Sequence, residues 1–411
     1  MAVAKKIYEK MTGPGASVIR KMFEEGAALK KQYGEDKVFD FSIGNPDLEP
    51  VTKIEDEIAN VAKDRTKGRH GYMPNAGYIE ARTAMAEKTN LEQHLNGKPG
   101  SGVGEKLNAD YIVMSCGAAG ALNTVFKAIL NEGDEVLVPV PYFVEYGHYV
   151  HNHGGTLKTI SATEDLSVNV KEVASMLNPK TTAIIINSPN NPSGKIYTKE
   201  NMRALVTVLN AHGEKTGRLP YIILDEPYRA ICYNGKKPVS MFHLYSESIV
   251  VTSFAKNLSL AGERIGYIAV NPTCQDAASL VNACIFSTRI LGYVNAPAFF
   301  QKVVAKSWNT NVNYISYENR MKHITEAVTG AGIEYIEPEG AFYLFCKVPP
   351  KKNVANPYDD FAFCDHLKKY NILVAPGTGF GCPGFFRISY CVSEKTILNC
   401  ALPLKKAVQE W

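Results

Sequence analysis

Ser253-Phe254-Ala255-Lys256-Asn257-Leu258-Ser259-Leu260-Ala261-Gly262-Glu263-Arg264-Ile265-Gly266 directly follows Ser248-Ile249-Val250-Val251-Thr252. The earlier run is apolar and β-branched, with the length of a buried strand. A lysine just past a strand end is ordinarily a solvated loop residue. Here Phe254, Leu258 and Leu260 are too apolar for a free loop, while Ser253 and Arg264 add a hydroxyl and a planar cationic fork. Those two groups suit a phosphate dianion and leave the Lys256 amine for covalent work on a carbonyl.

Upstream, Tyr221-Ile222-Ile223-Leu224-Asp225-Glu226-Pro227-Tyr228 ends a second buried run on an aspartate. A carboxylate there is costly unless paired. Taken alone, it reads as a helix N-cap with a packing tyrosine nearby. Before it, Thr182-Ala183-Ile184-Ile185-Ile186 is continuously apolar, as in sheets covered on both faces. It runs into Asn187-Ser188-Pro189-Asn190-Asn191-Pro192-Ser193-Gly194. Two prolines crowded in this way predict a sharply fixed turn, with a cis bond at Asn191–Pro192.

Further stretches repeat the theme of strand followed by loop. Tyr111-Ile112-Val113-Met114 precedes Ser115-Cys116-Gly117-Ala118-Ala119-Gly120, a small-residue helix start whose amides can face an anion. Glu135-Val136-Leu137-Val138 leads to Pro141-Tyr142-Phe143. Phe39-Asp40-Phe41-Ser42-Ile43-Gly44-Asn45-Pro46-Asp47 is a strand entering a turn, and His70-Gly71-Tyr72-Met73-Pro74-Asn75-Ala76-Gly77 is a glycine-rich loop. Residues 1 to about 40 read as amphipathic helix, with Ile19, Met22, Phe23 and Leu29 on one face. Residues 298 to 330 read as one long helix. His148, His151 and His153 read as a polar strand or loop edge. An arginine, Arg387, stands between Phe386 and Ile388 on an apolar strand, an odd place for a surface residue.

SFAKNLSLAGERIG, NNPSG, IGNPD and the GAFY of Gly340–Tyr343 together resemble the class I pyridoxal-phosphate-dependent aminotransferases, the aspartate aminotransferase group. The motifs occur in family order along nearly the whole chain. The resemblance implies that Lys256 forms the Schiff base with pyridoxal 5'-phosphate. It assigns Asp225 to the ring nitrogen, Asn191 and Tyr228 to the phenolic oxygen, and Phe143 to the ring face. The phosphate would meet Gly117, Ala118, Ala119, Ser253 and Arg264, plus Tyr72 from a neighbouring subunit. Many relatives carry a hydroxyl or amide side chain where this chain has Ala119, which shifts the load to backbone donors. Arg387 would bind the substrate α-carboxylate, with Gly44 beside it. Arg289 in Ser287-Thr288-Arg289-Ile290-Leu291-Gly292-Tyr293-Val294-Asn295 lies one residue out of the family's register as the partner-borne anchor for a side-chain carboxylate.

The implied fold is α/β, with a mostly parallel seven-stranded sheet between helices (46–297) and a smaller α+β domain (1–45 with 298–411) closing over the substrate. The implied activity is transamination between an L-amino acid and a 2-oxo acid, best aspartate or glutamate with 2-oxoglutarate, in a homodimer with shared sites. A β-eliminating C–S lyase would use the same residues. A non-catalytic regulator of this fold would carry a DNA-binding extension, and none is seen.

Bulk properties agree. The 411 residues are enough for two domains. A net charge of +4 with no long basic run interleaved with aromatics gives no case for nucleic acid. No apolar run approaches the ~20 residues that span a bilayer, and the start lacks a signal-peptide core. Nine cysteines without a C-x-x-C pair point to reduced thiols in a cytoplasmic protein. There is no H-E-x-x-H, and no metal is expected.

Overall fold

The computed structural model describes residues 3–12, 18–98, 100–102 and 104–411. Ile19, Met22 and Phe23, expected on the first apolar face, have side chains outside the described residues. The strands in chain order are β1 (Phe39–Asp40), β2 (Ile112–Ser115), β3 (Glu135–Pro139), β4 (Thr156–Ile160), β5 (Thr181–Asn187), β6 (Tyr221–Asp225) and β7 (Ser248–Ser253). They continue as β8 (Gly266–Val270), β9 (Tyr335–Ile336), β10 (Tyr343–Lys347), β11 (Ile372–Leu373), β12 (Ala375–Pro376) and β13 (Phe385–Ser389).

The apolar runs form one seven-stranded sheet in the order β2-β8-β7-β6-β5-β3-β4. Only β8 runs against its neighbours. Alternation along each strand sends side chains to two separate cores. Ile184, Ile186, Ile222, Leu224 and Val250 join one cluster, while Ala183, Ile185, Ile223, Ile249 and Val251 join the other. Helices Gly117–Ile129 and Ala277–Ile290 pack together on the second side. Each large aliphatic side chain so buried contributes roughly 1.5–3 kcal/mol. The carboxyl ends of β5, β6 and β7 then fall on one sheet edge, where α/β folds carry their ligands.

The second sheet is antiparallel, ordered β12-β13-β10-β9, and β1 pairs in parallel with β11. The N-terminal segment thereby joins the C-terminal part of the chain. Helices Tyr314–Gly330 and Glu394–Gln409 cover this unit.

Three expectations change. The stretch from 298 to 330 is two helices, Ala298–Ser307 and Tyr314–Gly330. Asn309, Asn311 and Asn313 interrupt it, and the Asn313 side chain caps the second helix by accepting from the Ile315 amide. The first of these helices packs on Thr52–Lys63 and Ile79–Glu92, and buries Val303 and Val304 with Ile54 and Met85. It thus belongs to the core of the large sheet, not to the smaller unit. His148 and His151 sit in a helix, Glu145–His151, that buries Tyr146 and Val150 one turn apart. Among the described residues no helix is long and apolar enough to cross a membrane.

The two sheets meet where the Gly194 carbonyl accepts from the amides of Glu339 (2.9 Å) and Gly340 (3.0 Å). The Ile196 amide donates to the Glu339 carboxylate at 2.8 Å. Gly340 has no room for a side chain: a Cβ would lie 2.6 Å from the Ile231 carbonyl oxygen and 2.7 Å from the Pro189 ring. Gly340→Ala should therefore cost about 1–3 kcal/mol of stability, as overpacking does, measured by urea unfolding. Unchanged stability would show that this junction yields.

Candidate active site

A cavity of about 300 Å³ opens at the carboxyl edge of the large sheet. β5 contributes Asn187, β6 contributes Asp225, and β7 contributes Ser253 with Lys256 just beyond, while β10 and β13 supply Tyr343 and Arg387 from the other sheet.

Lys256 is held by a bond from its Nζ to the Gly44 carbonyl at 2.6 Å. The amine lies 5.9 Å from the Tyr228 ring centre and 5.5 Å from that of Phe342. Burial pushes it down to about 8, and Arg387 and Arg264 push the same way against the Cys391 thiol. An amine so placed is accessible as a free base near neutral pH. Gly44 is required as glycine, because a Cβ there would lie 2.1 Å from the Tyr343 hydroxyl.

Asp225 is buried at the end of β6. Its Oδ2 accepts from the Tyr146 hydroxyl at 2.5 Å, and its main-chain carbonyl accepts from the Asn187 amide group at 2.8 Å. Its Oδ1 has no hydrogen-bond partner among the described residues. Burial raises the carboxyl to about 7, with Tyr146 opposing and Glu226 adding to the rise. A buried carboxylate with one free oxygen calls for a cationic N–H.

Arg387 donates from Nη1 to Asn191 Oδ1 (3.0 Å) and from Nη2 to the Ser42 carbonyl (2.6 Å). It lies between the rings of Tyr343 and Phe380, each 4.8 Å from the guanidinium carbon. Its Nε is unpaired. Asn191 is set by its own amide donating to Asn187 Oδ1 at 2.7 Å. The Asn191–Pro192 bond is cis, as expected; Ser188–Pro189 and Val140–Pro141 are cis as well.

Ala118 and Ala119, in the first turn of helix Gly117–Ile129, line the cavity with Ser253 and Arg264. Gly117 lies behind them at φ +71°, where a Cβ would sit 2.9 Å from the Arg264 guanidinium. Amides at a helix start, a hydroxyl and an arginine make an anion cradle. Phe143 lines the wall, edge-on to Tyr146 with centroids 5.6 Å apart.

Tyr72 and Arg289 lie elsewhere. Tyr72 is 93% exposed. Arg289 is exposed on helix Ala277–Ile290, its guanidinium over Phe286 at 5.1 Å. Their two segments are nevertheless tied together, because the Asn75 side chain donates to the Val294 carbonyl at 2.6 Å. Sequence reasoning passed over Tyr146, Tyr149, Asn187 and Tyr343, which all line the cavity. Tyr146 and Tyr149 stand three residues apart, a helical spacing that the neighbouring histidines obscured. Among the described residues no group of three or more His, Cys, Asp or Glu side chains could hold a metal ion.

An anion cradle, an orphaned carboxylate oxygen and a near-neutral lysine in one cavity fit the phosphate, ring nitrogen and aldehyde of pyridoxal phosphate. The raised Asp225 pKa has a stability consequence. A folded-state value above the ordinary 3.8 favours folding only below about pH 4, and stability is lost as pH rises from there to about 7. Asp225→Asn should stabilise the ligand-free protein at pH 8 by on the order of 4 kcal/mol, and by little at pH 4.5. Urea unfolding at the two pH values checks this, and an equal effect at both would refute it.

Residues 36–401 match the model of the family described as aminotransferase class I and II. A probable aspartate/prephenate aminotransferase of Aquifex aeolicus is 30% identical over 382 residues, 91% of each chain. An aspartate aminotransferase of Bacillus sp. (strain YM-2) is 30% identical over 377 residues, 88% of each. A solved aminotransferase from Eubacterium rectale superposes with a TM-score of 0.91 at 35% identity, covering 100% of this chain and 99% of the other. The chain thus belongs to the class I and II aminotransferases and is a pyridoxal-phosphate-dependent transaminase.

Proposed function

We propose that this transaminase moves the amino group of L-aspartate or L-glutamate to 2-oxoglutarate, as a cytoplasmic homodimer with shared sites. The observation that carries substrate binding is Arg387, a buried guanidinium fixed by Ser42, Asn191 and two rings, with Nε still free. Such a fork receives an α-carboxylate with directional bonds. The choice of a dicarboxylic donor is supported by the relatives named aspartate aminotransferase and by Arg289.

In this reading bound pyridoxal phosphate supplies the electron sink for the pair released at the substrate Cα. Asp225 would keep the ring nitrogen protonated through Oδ1. Asn191 and Tyr228 would hold the phenolic oxygen, Phe143 would cover the ring, and Ser253, Arg264 and the amides of Gly117, Ala118 and Ala119 would take the phosphate. Arg387 holds the substrate carboxylate beside Gly44. The Lys256 amine, freed on substrate binding, takes the Cα proton and later returns it, as general base and then acid. The chain from 46 to 297 together with helix Ala298–Ser307 forms the large domain, and the remainder forms the small domain that closes over the substrate.

Outward placement of Tyr72 and Arg289 on linked segments, beside the exposed Phe286 and Ile290, supports the dimer. Tyr72 of the partner subunit would reach the phosphate, and Arg289 of the partner subunit the substrate side chain. Nine free thiols suit a reducing compartment.

Loaded protein mixed with single L-amino acids, without 2-oxo acid, should change the cofactor absorbance with aspartate and glutamate. A response only to alanine or aromatics would remove Arg289 from its role, and steady ammonia release would mean a lyase. Lys256→Ala should lower turnover by roughly 10³-fold or more with the fold intact. Arg289→Ala should raise KM for aspartate and leave alanine unaffected. Mixed Lys256→Ala and Arg289→Ala subunits should regain aspartate turnover, since one site of each hybrid is complete. No recovery on subunit exchange would refute the shared site.

A further inference from the structure

Tyr343, in β10, touches more of the functional groups than any role given above explains. Its hydroxyl lies 2.7 Å from the Tyr228 hydroxyl, and the two rings meet edge-on at 79°. Its ring face carries the Arg387 guanidinium at 4.8 Å. Its tip occupies the space that the missing side chain of Gly44 leaves open.

With Tyr228 read as donor to the cofactor's phenolic oxygen, a proton count fixes the direction of the hydroxyl pair. Each phenol has one proton to donate. Among the described residues the Tyr343 hydroxyl has Tyr228 as its hydrogen-bond partner and no other. The Tyr228 proton is then committed to the phenolic oxygen, so the 2.7 Å contact is closed by Tyr343 donating to Tyr228. A hydroxyl that accepts a bond also becomes a stronger donor.

We infer that Tyr343 is a positioning residue with two separable parts. Its hydroxyl turns and polarises the Tyr228 proton towards the cofactor's phenolic oxygen, and its ring fixes the plane in which Arg387 receives the substrate carboxylate. The first part rests on the reading of Tyr228 as donor to that oxygen.

The test uses the loaded enzyme and follows the absorbance of bound pyridoxal phosphate against pH, without substrate. A donor to the phenolic oxygen favours the form in which that oxygen is most negative, the deprotonated one. Weakening the donor therefore moves the midpoint up. Tyr228→Phe should raise it by about 1 pH unit or more, Tyr343→Phe by about 0.5, and the double variant no further than Tyr228→Phe alone. In steady-state kinetics Tyr343→Phe keeps the ring and should leave KM within about twofold. Tyr343→Leu should raise KM about fivefold for every amino-acid substrate, through the lost guanidinium stacking. An unmoved midpoint in Tyr228→Phe would overturn the reading of Tyr228. A moved midpoint there with none in Tyr343→Phe, or full additivity in the double variant, would overturn the role of the Tyr343 hydroxyl. Equal KM values in the Phe and Leu variants would overturn that of its ring. Should the Leu variant not fold, the Phe variants still decide the first part, and Tyr343→Trp, which keeps a ring face, replaces it for the second.

Discussion

The structure depends on burying three ionisable groups, Lys256, Asp225 and Arg387, around one cavity without fully satisfying any of them. A buried charge is tolerated only when paired. Here the protein supplies half of each set. Among the described residues Asp225 has Tyr146 on one oxygen and nothing on the other, and Arg387 has two hydrogen-bond partners and a bare Nε. Lys256 donates to the Gly44 carbonyl and lies over the Tyr228 and Phe342 rings. The two aliphatic cores of the large sheet offset the deficit. The half-satisfied groups define what the cavity must receive: an N–H cation, a carboxylate and a carbonyl carbon.

No single sheet holds this set. Parallel strands bring Asp225 and Lys256 to one edge, and the antiparallel sheet brings Arg387 and Tyr343 across from it. The Gly194 carbonyl joins them by accepting two amides of the opposite unit, a few residues after Asn191 and just before Tyr343. Asn191 itself bonds Arg387, so the loop that follows β5 positions groups from both sheets.

Much of this was legible in the chain. Continuous apolar runs named the doubly covered strands because each alternate face meets its own core. Lys256, Asp225 and Arg387 stood out because charged residues at the ends or middles of apolar runs need a chemical reason. What stayed hidden depended on context that composition does not carry. Helix Glu145–His151 is short and rich in His and Tyr, so its buried face rests on Tyr146 and Val150 alone. The break at Asn309–Asn313 is a capping event within an otherwise helical pattern. The allegiance of helix Ala298–Ser307 depends on which neighbour its valines meet, and both units offer an apolar surface. Tyr343 was visible inside its motif, but its contacts come from Tyr228, 115 residues away.

Substrate choice follows a different logic from cofactor binding. The cations lining the cavity among the described residues are Lys256, Arg264 and Arg387. In the proposed assignment each is already engaged, with the reacting amine, the phosphate and the α-carboxylate. The remaining walls include Ile43, Leu122, Phe143 and Tyr149, which offer no charge to a second carboxylate. Burying an unpaired carboxylate against such walls would cost far more than the contacts return. A dicarboxylic substrate therefore needs a cation brought from outside the subunit, and an apolar substrate does not. In the proposed assignment specificity is set at the outward segment that carries Arg289, while the strand ends set the chemistry. That separation lets one arrangement of Lys256, Asp225 and Arg387 serve different amino acids by changes on a surface that none of the three touches.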